Sequence, residues 1–390
     1  MVKPPKQKPN IVTRVLVFIV GLSMVVIAVS LVAFRDRLNL DTLRRWFTYR
    51  SLELSDSGEA QAFHCGGSAS DVYVSLDNDL LVCSKNSIGL WSQSGTQYVD
   101  QAAAMAAPAA HARAGTAVVY DAGGTQLFVF RQRALAFSMD SSGPLISARI
   151  SANGNLIVVS QQSGFRSVVT VYNTDFQPVA AVQLSSVYAM DAQLADDGHT
   201  LVIVTIGQNN GSFTSSLAVC DLNTLAYEVN FDIDAAIVHN LGSSVILELE
   251  LDGRIWALGD RELSVLDGAV NLLGTVNWSD RYLKTYSLRG DGFAVALLGK
   301  YRAGTQAELS VVDDTAALVG SLSLDEQVLS VSAAGRYFAV LTADRLDIYT
   351  KDMSLYSSLE GILGARKVLL RPDGTAFLIS SGTAWLYVPI

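Results

Sequence analysis

Eight times along this chain a short alternating apolar run meets a tight turn and leaves it as a second, more continuous apolar run. The units are DVYVSLDNDLLVCS, AHARAGTAVVYD, SARISANGNLIVVS, AQLADDGHTLVIVT, ILELELDGRIWALG, YSLRGDGFAVALL, VLSVSAAGRYFAVLT and LLRPDGTAFLIS. Seven carry Gly at the turn (Gly115, Gly154, Gly198, Gly253, Gly292, Gly335, Gly374), and the first has Asp77-Asn78-Asp79. Gly and Asn take positive φ at little cost, so these are hairpin turns. From Asp77 they follow at intervals of 38, 39, 44, 55, 39, 43 and 39 residues. Most units continue into a second hairpin, as in VTVYNTDFQPVAAVQL, SLAVCDLNTLAYEVNFDI, ELSVVDDTAALVGSLSL and RLDIYTKDMSLYSSLE. Two hairpins per period of about forty residues make the four-stranded blade of a β-propeller. The expected fold is therefore all-β, an eight-bladed β-propeller with seven blades as the alternative. The polar turns Asn173-Thr174-Asp175, Asp221-Leu222-Asn223-Thr224 and Asp313-Asp314-Thr315 suit Asx-type hydrogen bonding. The chain ends at Ile390 after three strands of the eighth unit, so Glu59–Cys65 is expected to close the ring as its fourth strand.

Charge is divided unevenly. Residues 1–50 hold 9 of the 28 Lys and Arg but only 2 of the 37 acids. The remaining 19 basic and 35 acidic residues leave 51–390 at −16, a body that repels phosphate backbones and argues against a nucleic-acid partner. Half of the residues are hydrophobic, enough for a large core. The three cysteines, Cys65, Cys83 and Cys220, lie in or beside apolar strands and read as buried thiols, with a Cys65–Cys83 bridge the one disulfide considered.

Four segments are expected: a basic tail (1–14), a transmembrane helix (15–34), a juxtamembrane amphipathic linker (35–58) and the propeller (59–390). The twenty uncharged residues VLVFIVGLSMVVIAVSLVAF are long enough to cross a hydrocarbon layer of roughly 30 Å; a cleaved signal peptide is the alternative. Leu40, Leu43 and Phe47 recur at helical spacing in the linker. Basic residues flank the span nearly evenly, so the charge rule does not orient it. A short basic tail before one span is the layout of a signal anchor, and the expectation is a cell-membrane protein, single-pass, held through residues 15–34 with its propeller outside the cytoplasm.

Candidate chemistry is sparse. The histidines His64, His111, His199 and His239 fall in separate units without ligand spacing, and no DxDxDG loop or nucleophile elbow occurs. No metal, cofactor or catalytic residue is assigned. The turn between second and third strands is enlarged in units three, four and six (161–166, 207–215, 299–306) and short elsewhere. Such turns emerge on one face of a propeller and would raise an arc carrying Phe165, Arg166, Asn209, Asn210, Phe213, Tyr301 and Arg302. Aromatics with Arg and Asn are what recognition surfaces use.

The repeat body, the single span and the basic-aromatic linker LRRWFTYR resemble an uncharacterised family of single-span, membrane-anchored WD40-like or quinoprotein-like propellers of Gram-positive bacteria. No unit has the Gly-His and Trp-Asp pair of eukaryotic WD40 repeats. The quinone-docking tryptophans and vicinal cysteines of quinoprotein dehydrogenases are also missing. The resemblance implies a scaffold without cofactor: a non-catalytic module for a protein, peptide or cell-envelope glycan. The alternative is a hydrolase or lyase acting on an envelope or extracellular polymer over the central channel. A channel-facing Asp or Glu pair with shifted pKa would favour the enzyme, and an apolar-aromatic arc over a carboxylate-poor channel the binder.

Overall fold

A computed structural model describes residues 18, 20–24, 40–68, 70–209, 211–225, 227–231, 236–241, 245–278 and 280–389. The chain divides into two compact units, Met1–Leu52 and Glu53–Ile390. In the first, a helix spans Leu40–Tyr49 with Asp41 in its first turn, where a carboxylate favours the helix dipole.

The second unit is eight antiparallel sheets in sequence order, each at least four strands wide. The innermost strands are Val72–Leu76, Pro108–Arg113, Leu145–Ile150, Tyr188–Leu194, Ile246–Leu251, Tyr282–Gly290, Ser330–Ala334 and Lys367–Leu370, for blades 1 to 8. All eight turns out of these strands use positive φ, at Asp77 (52°) in blade 1 and at the seven glycines in the others. In the second strands Asp79–Cys83, Ile255–Gly259, Phe293–Gly299 and Tyr337–Leu341 every residue is buried, because both sheet faces lie against neighbouring blades. That is why these runs read as continuously apolar. Outer strands such as Gln97–Ala102 and Leu272–Asn277 alternate instead.

The core is a series of seams between successive blades. Leu249 and Leu251 of blade 5 pack with Val202, Val204 and Leu217 of blade 4, while Trp256 and Leu258 pack with Ala294 and Ala296 of blade 6. Truncating a leucine at such a seam costs about 2–5 kcal/mol.

Glu59–Cys65 does close the ring. Phe63 and His64 pair with Ala384 and Thr383, Glu59 bridges Tyr387, and the Ala60 N–H donates to the Leu386 carbonyl at 2.8 Å. Trp385 Nε1 donates to Glu59 Oε1 at 3.0 Å. The 55-residue interval between Gly198 and Gly253 comes from an excursion in blade 4. After Ser212–Asp221 the chain returns to blade 3, adds Glu228–Asn230 in parallel to Pro178–Leu184, and only then forms the outer strand Ile237–Asn240. The three polar turns are Asx turns: Asn173 Oδ1 accepts from Asp175 and Gln177, Asp221 Oδ1 from Asn223, and Asp313 Oδ1 from Thr315 and Ala317. All three cysteines are buried and free, so no Cys65–Cys83 bridge forms; burial pushes the Cys65 thiol up to about 11 and Cys220 up to about 12.

The membrane part of the expectation is corrected. Apart from Phe18 and Val20–Met24, the stretch 15–34 lies outside the described residues. The described part is helical but rises only about 10 Å, against roughly 30 Å of hydrocarbon. Among the described residues no helix is long and apolar enough to cross a membrane. The transmembrane element of the fold, the signal anchor, the membrane as partner through 15–34 and the single-pass cell-membrane location are withdrawn on that finding.

Candidate functional site

Strand direction sorts every connection onto one of two faces. The turns from first to second strand, with their glycines, emerge on a glycine face; those from second to third strand emerge on the opposite loop face, beside the start of each inner strand.

On the loop face, four successive inner strands carry a β-bulge near their start. The extra residues are Ile146 in blade 3, Met190 in blade 4, Leu247 in blade 5 and Lys284 in blade 6. A bulge takes its extra residue out of the ladder and re-aims it. Met190 and Leu247 are accordingly exposed, as are Tyr188, Val245 and Tyr282 at the same strand ends.

The residues expected from sequence lie around this rim. Phe165 begins the third strand of blade 3 and is half-buried, while Arg166 is exposed with its guanidinium 5.1 Å from the centre of the Tyr188 ring in blade 4. Asn209 ends a ten-residue strand paired to Ser212, on a hairpin that presents Phe213, 63% exposed. Asn210 lies outside the described residues. Tyr301, 61% exposed, and Arg302 lie in the blade 6 loop, with Lys300 Nζ 5.6 Å from the Tyr301 ring. The contact between Arg166 and Tyr188 joins blades 3 and 4; Tyr301 and Arg302 belong to a separate blade on the same face.

Toward the glycine face the inner strands carry charge, which the sequence reading missed. Arg113 Nη1 lies 3.4 Å from Glu250 Oε1 and also bonds the Leu251 carbonyl, joining blade 2 to blade 5 with two blades between them, so the contact crosses the channel. Arg149 of blade 3 clamps Asp191 of blade 4 through Nε and Nη2, the latter 2.6 Å from Oδ2. Gln193 of blade 4 donates to the Leu249 carbonyl and accepts from the Leu251 N–H.

His111 Nδ1 accepts from the Ile150 N–H at 3.2 Å, which places the ring proton on Nε2, 3.9 Å from Glu250 Oε2. Burial holds the pKa of His111 down to about 4. Burial alone would raise Glu250, but the His111 N–H and the charges of Arg289 and Arg149 hold it at about 2. Glu248, two residues earlier on the same strand, is pushed upward by burial against the pull of Arg289 and Arg149. The Tyr286 hydroxyl bonds Glu248 and is itself raised, by burial first and then by that carboxylate. Among the described residues no three His, Cys, Asp or Glu side chains group as metal ligands.

The signal for this cluster was present as HAR, ARI, DAQ, ELE and YSLR in five successive inner strands, where units one, seven and eight have VYVSL, SVSAA and KVLL. Considered strand by strand, each charge is one polar residue on an alternating run; only closure brings them together.

Residues 48–356 match a family of unknown function, DUF5711. The chain belongs to that family. None of the curated proteins compared matches the DUF5711 chain. Among solved structures it is similar to the C-terminal WD40 domain of Sif2, at 14% identity over 86% of this chain and 97% of that one, with a TM-score of 0.56. It is also similar to the Dos1 propeller, at 9% identity over 84% and 93% and the same TM-score. Identities this low carry the fold alone. The sequence-level resemblance to a membrane-anchored family is corrected with the span: the match begins at residue 48, beyond 15–34.

Proposed function

We propose that this propeller is a non-catalytic scaffold that binds a segment of a partner protein across the loop face of blades 3 to 6. The observation that supports the reading most is the row of solvent-facing Tyr188, Met190, Leu247 and Tyr282 on consecutive inner strands, flanked by Phe213 and Tyr301 on raised loops. Exposed apolar groups gathered on one face are typical of interaction sites. The basic residues interleaved with them, Arg166, Lys284, Lys300 and Arg302, stand out on a body whose net charge is −16, so the segment that fits has apolar side chains beside acidic ones. The test is selection of binding peptides from a random library on the immobilised full chain, followed by Tyr188→Ser, Phe213→Ser and Tyr301→Ser together. Loss of capture by a folded triple variant supports the reading, and undiminished capture removes it.

The channel is not carboxylate-poor, and this favours one second reading: a hydrolase or lyase acting on a polymer. Glu248, pushed toward its protonated form, and Glu250, held ionised, are two carboxyl groups two residues apart whose environments separate their acidities, as acid and base roles require. Assay of the full chain against a panel of polysaccharides tests it, with Glu250→Gln as the control. Product release that survives this substitution contradicts an active site at Glu250.

A further inference from the structure

At the glycine-face end of the channel the charges do not balance. The turns of blades 4, 5 and 6 present Asp196, Asp252 and Asp291 around Arg113. Arg113 Nη2 lies 3.1 Å from Asp252 and 3.8 Å from Asp196, while Nη1 serves Glu250, so one guanidinium is shared among three carboxylates. Asp252 shows the deficit: burial raises its pKa and Arg113 opposes this, but Glu250, Asp196 and Asp291 all push it further up. Behind them Glu250 is over nine-tenths buried, and its Oε2 has no hydrogen-bond partner in spite of its charge. A buried anionic oxygen without a donor is costly unless something supplies one.

We propose that this mouth is a binding site for one organic cation, a guanidinium or primary ammonium group, held by Asp196, Asp252 and Glu250. A divalent metal fits poorly, because among the described residues these groups do not converge as a coordination cage. A guanidinium or ammonium spans wider spacing and brings the several N–H donors that the site lacks. Arg113 is the internal cation that such a ligand joins or displaces. The site lies on the face opposite the proposed peptide rim and does not depend on it.

Calorimetric titration of the full chain with agmatine, and separately with amidated Gly-Gly-Arg-Gly, tests the assignment. One saturable site for which the two ligands compete is expected. Asp196→Asn with Asp252→Asn should weaken it by about tenfold or more; both side chains are more than half exposed, so the fold should tolerate the change. Asp175→Asn, an exposed acid in an outer turn of the same face, should leave affinity unchanged. Arg113→Gln should tighten binding by removing the competing cation, an effect that a purely structural arginine does not predict. Tighter binding of the peptide assigns the cation to a partner's arginine, and tighter binding of agmatine to a free amine; both support the site. Absence of saturable binding at millimolar ligand, or an equal loss in Asp175→Asn, overturns it.

Discussion

The two mouths of one channel are made by opposite ends of the same inner strands, and they differ in almost every physical respect. On the loop face, bulges at Met190 and Leu247 turn apolar side chains outward, and basic residues sit among aromatic rings. On the glycine face, tight turns leave no room for large side chains; they present Asp196, Asp252 and Asp291 over a network that ties blade 2 to blade 5. The first mouth adds little to the fold and is free to serve a partner. The second is mechanically part of the ring, so its charges are both structural and available.

That contrast predicts a sharp asymmetry in stability. Glu250→Ala leaves Arg113 buried beside Leu251 without its carboxylate, and removal of one member of a buried pair costs about 3–5 kcal/mol. A urea midpoint lowered by less than 1 kcal/mol equivalent would make the network dispensable and erase the distinction between the mouths.

Acidification should act on the same network. His111 has its folded pKa lowered from 6.5 to about 4, and Glu250 from 4.5 to about 2. In both cases the unfolded chain takes up the proton first, so the stabilisation present above the unfolded values is lost as pH falls, first between about 6.5 and 4 through His111 and then toward about 2 through Glu250. The melting temperature should drop by several degrees between pH 7 and pH 4, and the drop should be smaller in His111→Gln. A flat profile would contradict the buried neutral histidine.

Much of this was legible in the residues, and the failures are informative. The glycine turns were readable because positive φ selects residue type locally, and closure because three strands of unit eight required a fourth. The 55-residue interval was not readable, since the excursion that places Glu228–Asn230 against blade 3 is a long-range pairing of a three-residue strand. The bulges escaped notice because one extra residue barely disturbs an alternating pattern. The channel network was scattered over five units, and Arg113 meets Glu250 only after 137 residues of ring have closed.

Smaller effects separate the mouths further. The Tyr188, Phe213 and Tyr301 triple serine variant should change stability by no more than about 0.5 kcal/mol per site while abolishing peptide capture; misfolding would show that these rings are packed. Asp196→Asn with Asp252→Asn should have the smallest effect of all on the rim, leaving peptide affinity within error. A coupled loss would mean that one ligand threads both ends.

The most direct measurement is amide hydrogen exchange of the full chain with and without a selected peptide. Protection is predicted at Tyr188–Met190, around Phe213, at Ile246–Glu248 and at Tyr282–Lys284, with the turns at Gly198, Gly253 and Gly292 unchanged. Protection at those glycine-face turns, with none at the bulged strand ends, would contradict the assignment of the loop face as the recognition surface.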